Sequence, residues 1–287
     1  MGDLMKPTKE QIHTFYTAAL DRCRDAFAKL DDKEWAKKVS EHWTAREHLA
    51  HLVIVQVEEA LPLTRQAIAG ERGQIPGFEK REDILDFFRM TLDRVREVPV
   101  PELLKRLDAT FGEHIQMLDA LSEADLDRPA TSPGWDRPGT IRDLFFASYL
   151  FLPGQYQEIR KAAKKKLPHW IEASTPEQVN YHLDRLFNYM PLIFRSDRGA
   201  DMQATYLFTM EGAGGGQWAI RIAEGKAEST DPAPDGFDME LKTKPELWID
   251  LSTGELNPAW AIMTRKVHLG GNAGLAMKLG TLFSVAE

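Results

Sequence analysis

The residues best suited to chemistry are histidines with carboxylates at helical spacing from them. His48 and His51 stand three apart in Trp43-Thr-Ala-Arg-Glu-His-Leu-Ala-His51-Leu52, and Glu58 follows two turns later on the His51 face. The pair lacks the His-Glu-x-x-His order of a metalloprotease. A catalytic metal needs three convergent ligands and an open position, so His51 is a candidate ligand that must find two partners elsewhere. His114, in the third helical region, could approach the bundle interior, and Glu158, in the last, could serve only with a shift of register. A hydrogen-bonded, partly buried histidine is the other reading of His51. Cys23 falls on the apolar side of the first predicted helix and reads as an inert core thiol. The run Gly212-Ala-Gly-Gly-Gly216 is not followed by Lys-Ser/Thr and leads into a strand-like segment, so it reads as a hairpin turn rather than a phosphate loop. No serine, cysteine or paired-carboxylate active-site pattern is present, and no Gly-x-Gly-x-x-Gly lies between a strand and a helix.

The elements that must position these groups are helical through about residue 166. Thr8 is an N-cap, with Ile12, Phe15, Ala19, Cys23, Ala26 and Leu30 at helical spacing behind it. Thr44-Ala-Arg-Glu47 has the form of a capping box and starts a second helix ending at Gly70, with a bend expected at Pro62. A third region from about Lys80 to Leu121 is divided at Pro99-Val-Pro101. After a turn-rich segment, Arg128 to Gly139, a last helix begins near Thr140, where Pro153 should distort it. Four long helical regions describe a bundle. Lys161, Lys164, Lys165 and Lys166 close the last helix in keeping with its dipole. A lipid-headgroup contact and a solvated helix end both account for that lysine run.

After Pro168 the period changes. A helix capped by Thr175 runs to about Tyr189, followed by three runs of period two: Ala204–Met210, Gln217–Ile222 and Phe237–Lys242. One apolar and one polar face mean a sheet covered on one side and wet on the other. Helical signals return at Pro245–Leu251, Pro258–Met263 and Ala273–Phe283, with a short strand around Lys266–Leu269. This divides the chain into residues 1–166, a linker 167–174, and residues 175–287.

Composition bounds what such a chain can do. At 287 residues, 43% hydrophobic and 28% charged, it is sized for two globular domains. A net charge of −8 argues against a general nucleic-acid binder. One cysteine excludes an intrachain disulfide and makes a reducing cytoplasm the expected compartment. The start, MGDLMKPTKEQI, has no signal-peptide core, and no apolar stretch is long enough for stable membrane insertion.

Several strings in the second half resemble, in order, the sterol-carrier-protein type 2 (SCP2) class. They are Gly216-Gln-Trp218, Ala223-Glu-Gly-Lys226, Thr253-Gly-Glu-Leu-Asn-Pro258, and Val267-His-Leu-Gly-Gly271 leading into Leu275-Ala-Met-Lys-Leu279, over roughly 110 residues. The resemblance implies an α+β domain with a five-stranded, mostly antiparallel sheet covered by helices. It also implies an apolar tunnel for a lipid or other hydrophobic small molecule. Trp248, Leu251, Trp260, Met263, Leu279, Leu282 and Phe283 lie on predicted helices that must cover the sheet, and are the candidate lining; dry core packing is the other role open to each. In the first half, Trp43–Leu52, Leu121-Ser-Glu-Ala-Asp-Leu126, Gly134-Trp135 and Thr140-Ile-Arg-Asp-Leu144 resemble the DinB-like four-helix bundles, a superfamily that includes mycothiol-dependent maleylpyruvate isomerase. That resemblance implies a zinc or nickel ion held by a second-helix histidine and two last-helix ligands. His51 matches the first, whereas the aligned last-helix positions are Phe151 and Gln155. The expected reading is a bundle without its metal triad, with no cofactor, joined to a lipid-binding domain. A bundle that serves only as a structural or homodimerising partner fits it. A metal- and thiol-dependent transferase or isomerase acting on a hydrophobic substrate is the alternative, and a ligand-free interaction module a third.

Overall fold

The computed structural model describes residues 6–230 and 236–284; the terminal stretches read for targeting signals lie in part outside them. The chain forms two compact units, Pro7–Trp170 and the part that begins at Ile171. In the first, α1 (Lys9–Phe27) starts from a capping box in which Thr8 and Gln11 satisfy each other's backbone N–H groups. The helix α2 (Ala45–Ile54) starts from the same device at Thr44 and Glu47. It continues as a π-helical segment, Val55–Ala60, into α3 (Leu61–Ala69), which stops at Gly70 in the left-handed conformation (φ 78°). The bend expected at Pro62 thus takes the form of a π turn before it, with the Leu61 N–H bonded to Gln56 O. Such a turn shifts the helical register and re-aims side chains. The third region is α4 (Ile84–Arg94) and α5 (Val100–Ala120), separated where the prolines fall. A two-residue ribbon, Pro129–Ala130 with Gly139–Thr140, precedes α6 (Ile141–Arg160). The helix α6 continues through the buried Pro153, its packing offsetting the one backbone bond a proline forfeits.

The residues read as a linker are partly bound to the bundle. Tyr156 donates to Pro168 O at 3.1 Å, the Trp170 N–H donates to Gln157 Oε1 at 2.9 Å, and the Arg22 guanidinium lies 4.4 Å over the Trp170 ring. Lys161 and Lys166 are held by carboxylates, Glu158 and Glu34 respectively.

In the second unit α7 (Pro176–Tyr189) precedes the strands β1 (Ala204–Met210), β2 (Gly216–Ala223), β3 (Lys226–Thr230), β4 (Met239–Thr243) and β5 (His268–Gly271). The spatial order is β3-β2-β1-β4-β5. The sheet has its five strands and three of its four pairings are antiparallel, but it is mixed: β1 and β4, at its centre, are parallel, with Phe208 opposite Leu241. Period-two alternation is the same in either direction, so the pattern could not distinguish them. Strand β3, Lys-Ala-Glu-Ser-Thr, has no apolar alternation because it is an edge; the tight turn Glu224-Gly225, both at positive φ, places it. The helices α8 (Pro245–Ser252), α9 (Pro258–Met263), α10 (Ala273–Ala276) and α11 (Leu279–Leu282) complete the unit, the long C-terminal helix expected being two single turns. One sheet face is covered: Phe187 of α7 packs on Phe208 (4.6 Å) and Trp218 (5.1 Å), and Trp248 closes the cluster. The other face carries the polar ladder Gln217–Thr209–Glu240. Among the described residues no helix is long and apolar enough to cross a membrane.

Candidate functional site

The polar side chains of the bundle converge between the α2–α3 run, α1, α5 and α6. Ser148 donates to Gln56 Oε1 at 2.5 Å, so its oxygen is free to accept from Tyr16, which touches it. Tyr16 then accepts from His114 Nδ1 at 3.0 Å, and His114 Nε2 accepts from Thr64 at 2.9 Å. Each hydroxyl has one hydrogen to give, and this fixes one direction, Thr64→His114→Tyr16→Ser148→Gln56, and one histidine tautomer. Burial drives the His114 pKa down to about 3 and pushes that of Tyr16 up, so both are neutral. His114 therefore reaches the interior, as a structural donor and acceptor.

His51 lies in an aromatic cage, with ring centroids of Phe88, Trp43 and Phe151 at 4.6, 4.8 and 6.0 Å. Burial first, and the neighbouring His48 second, bring its pKa down to about 3. Its enclosed Nδ1 has no hydrogen-bond partner among the described residues. His48 donates from Nδ1 to Gln155 Oε1 at 2.8 Å and accepts at Nε2 from Ser40 at 3.2 Å. Glu158 approaches His48 Nε2 at 3.7 Å, but burial brings the His48 pKa down to about 4 and leaves that ring neutral; Lys161, at 2.8 Å, meets the Glu158 charge. Glu58 pairs with Arg94 at 3.6 Å. Around His51 the donor set does not fit a metal: an aromatic ring stands at one aligned position, and Gln155 is bound to the other histidine. Among the described residues no group of three or more His, Cys, Asp or Glu side chains is placed to hold an ion. Cys23 is fully buried, and burial raises its pKa.

Glu59 was not singled out from sequence. It lies on the π segment and lines a space of about 10 Å³, room for about one water, together with Ser132, Trp135, Ser148 and Phe151. Its enclosed Oε2 has no partner among the described residues, and burial raises its pKa to about 7. A signal existed: Leu52, Val55, Glu59 and Leu63 form an i, i+3, i+7, i+11 stripe, where a carboxylate is out of place.

The second unit holds the larger space, a cavity of about 380 Å³ between the β4–β5 edge and α8 to α11. Leu241 and Leu269 form its floor, Trp248 and Leu251 one wall, Ile262 and Val267 another, and Ala276, Met277 and Leu279 the third. No titratable side chain lines it, and the hydroxyl of Ser252 is spent on Ile249 O at 2.8 Å. The arrangement can enclose an apolar molecule by shape and burial. Of the seven residues expected there, the structure brings three together at the cavity, Trp248, Leu251 and Leu279. Leu282 is in the dry core, and Phe283 packs on Phe194 (5.7 Å) and Tyr206 (6.4 Å). Trp260 and Met263 do not line it; they point outward, 43% and 74% exposed, because the small Ala261 is the residue α9 buries. Leu241 was legible as an inward position of its strand, whereas Ile262 and Met277 carried no signal.

Comparison with known proteins agrees with both halves. The DinB superfamily matches residues 16–147, and the SCP-2 sterol transfer family matches residues 195–284. The chain is a DinB-like bundle followed by an SCP2-like domain. A solved mycothiol-dependent maleylpyruvate isomerase covers 94% of this chain, and the match covers 96% of that one, with a TM-score of 0.59 at 10% identity, a likeness of fold alone. Hydroxysteroid dehydrogenase-like protein 2 of Rattus norvegicus is 32% identical over 84 residues, and that of Danio rerio 25% identical over 141. These matches take in 29% and 48% of this chain but only 16% and 34% of those relatives, so the chain corresponds to a minor part of them.

Proposed function

We propose that this protein binds a lipid or similar hydrophobic small molecule in the cavity of its SCP2-like domain, and that the DinB-like bundle serves as a folded partner without metal chemistry. The observation that carries this reading is the pairing of a ligand-sized apolar cavity with a lining free of titratable groups. The match to a family described by sterol transfer supports the ligand class. The caged His51, with Phe151 beside it, supports the second half. Two measurements test it. Native mass spectrometry of gently purified full-length protein should show a retained small hydrophobic mass, and a fluorescent fatty-acid probe should bind and be displaced by competing lipids. Absence of both a retained mass and probe binding would overturn the ligand reading. A stoichiometric zinc or nickel ion in untagged protein, lost on His51→Ala, would overturn the second half and favour the transferase or isomerase alternative.

A further inference from the structure

One side of the rim of the SCP2-like cavity, from α9 onward, differs in character from the rest of the protein; the other, α8, carries Glu246 and Asp250. From Pro258 to Ser284 there are three basic residues, Arg265, Lys266 and Lys278, and no acidic one, in a chain of net charge −8. The two most exposed large apolar side chains among those described, Met277 (80%) and Met263 (74%), are both here, as are Trp260 and Ile262. On α9, Ala261 is buried while Trp260, Ile262 and Met263 fan outward around it. Ile262 and Met277 also line the cavity, so the exposed apolar surface is continuous with its mouth. Lys266 Nζ sits 4.5 Å above the Trp260 ring, and neither it, Arg265 nor Lys278 enters an ion pair among the described residues.

We propose that this rim, α9 and the Met277-Lys278 turn, is the face by which the SCP2-like domain docks on an anionic lipid bilayer with its cavity mouth toward the membrane. Water leaves the methionines and Trp260 exposed at a cost, and an acyl-chain boundary removes it. Tryptophan with a cation on its face suits the headgroup level, where its ring is half in hydrocarbon and its edge is wet. The unpaired cations complement anionic headgroups, each strengthening partitioning about fivefold near such a surface. An apolar ligand could then pass between bilayer and cavity without crossing bulk water. That transfer step rests on the hydrophobe-binding reading above; the docking itself does not.

The test is sedimentation of the full-length chain with phosphatidylcholine vesicles, with and without phosphatidylserine, beside solution binding of the fatty-acid probe. Wild type is expected to bind vesicles containing phosphatidylserine, less so at high salt, and to leave pure phosphatidylcholine largely unbound. Arg265→Gln with Lys266→Gln should lower that binding on the order of 25-fold, and Met263→Asp by about tenfold or more. None of these three side chains lines the cavity, so probe affinity in solution should stay unchanged, and circular dichroism checks the fold. Vesicle binding with no probe binding would sink the ligand reading and leave docking standing; probe binding with no vesicle binding would do the reverse. Variants that bind vesicles like wild type overturn the proposal. So does a solution dimer broken by Met263→Asp, which would assign the face to a second copy of the chain.

Discussion

Replacing Glu59 by glutamine should stabilise the bundle, and only at neutral and alkaline pH. The carboxyl lies on the π segment with Oε2 enclosed and unpartnered, and burial raises its pKa from 4.5 to about 7. Folding therefore favours the neutral acid. Its contribution is fully present below pH 4.5, declines as pH rises through 7, and is lost above that. At about 1.36 kcal/mol per unit, the ionised form costs the folded state at most about 3 kcal/mol. The residue is only partly buried, so screening through its open side reduces this to about 1–2 kcal/mol. For a domain of this size that is a shift of roughly 2–8 °C in Tm. The assay is guanidinium unfolding of wild type and Glu59→Gln from pH 4 to pH 9, with hydrogen-exchange mass spectrometry assigning the transition to bundle peptides. The difference between the two proteins should be flat in acid, grow across pH 5–7 and level off. Parallel curves across the whole range, or a variant that loses ground to wild type as pH rises, would refute the reasoning.

Three further outcomes are expected. Tyr16→Phe keeps the ring contact with Phe111 but leaves His114 Nδ1–H and the Ser148 oxygen without their partner, and should cost about 1–3 kcal/mol in chemical denaturation; a neutral result would dissolve the directional chain. Phe151→His with Gln155→His supplies last-helix ligands beside His51 and should confer one zinc equivalent per chain by mass spectrometric metal analysis after dialysis, whereas no gain would show that the cage, not the missing ligands, prevents binding. Ala276→Trp projects bulk into the 380 Å³ cavity and should weaken the fatty-acid probe by about tenfold or more, about 1.4 kcal/mol, without lowering Tm; unchanged affinity would place the probe elsewhere.

Much of this was legible because local chemistry and tertiary fold agree. Thr8, Thr44 and Thr175 are each followed three residues on by Glu or Gln, and each caps a helix where expected. The inward residues Tyr206, Phe208, Trp218, Ile220 and Leu241 were set by period two. What escaped depends on facts no local window contains. The parallel pairing of β1 with β4 is a choice of neighbour, and alternation carries no strand direction. Pro153 stays inside α6 because the helix is packed around it, a tertiary override of a local rule. Trp260 and Met263 escape because size and hydropathy alone point large apolar residues inward, whereas on this six-residue helix Ala261 makes the contact and the large ones are left outside.

The same distinction separates the two places where chemistry could reside. In the bundle, a histidine, a glutamine, a serine and a tyrosine on apolar helix faces read equally well as a reaction centre or as a buried network, and partner matching decides between them. Thr64, His114, Tyr16, Ser148 and Gln56 pass their hydrogens in one direction, and burial keeps the titratable members neutral. Such a chain holds four segments in register; it has no acidic proton to offer and no open acceptor to receive one. Three of the enclosed atoms without a hydrogen-bond partner, His51 Nδ1, Gln56 Nε2 and Glu59 Oε2, gather on the α2 and π-segment run, against Ser148 and Phe151. There Phe151 puts a ring where a ligand would have to be, and the space left admits about one water. In the SCP2-like domain, the cavity of about 380 Å³ is lined without a titratable group. The groups around His51 and Glu59 thus have no room for a substrate, and the SCP2-like cavity, which has room, has no such groups.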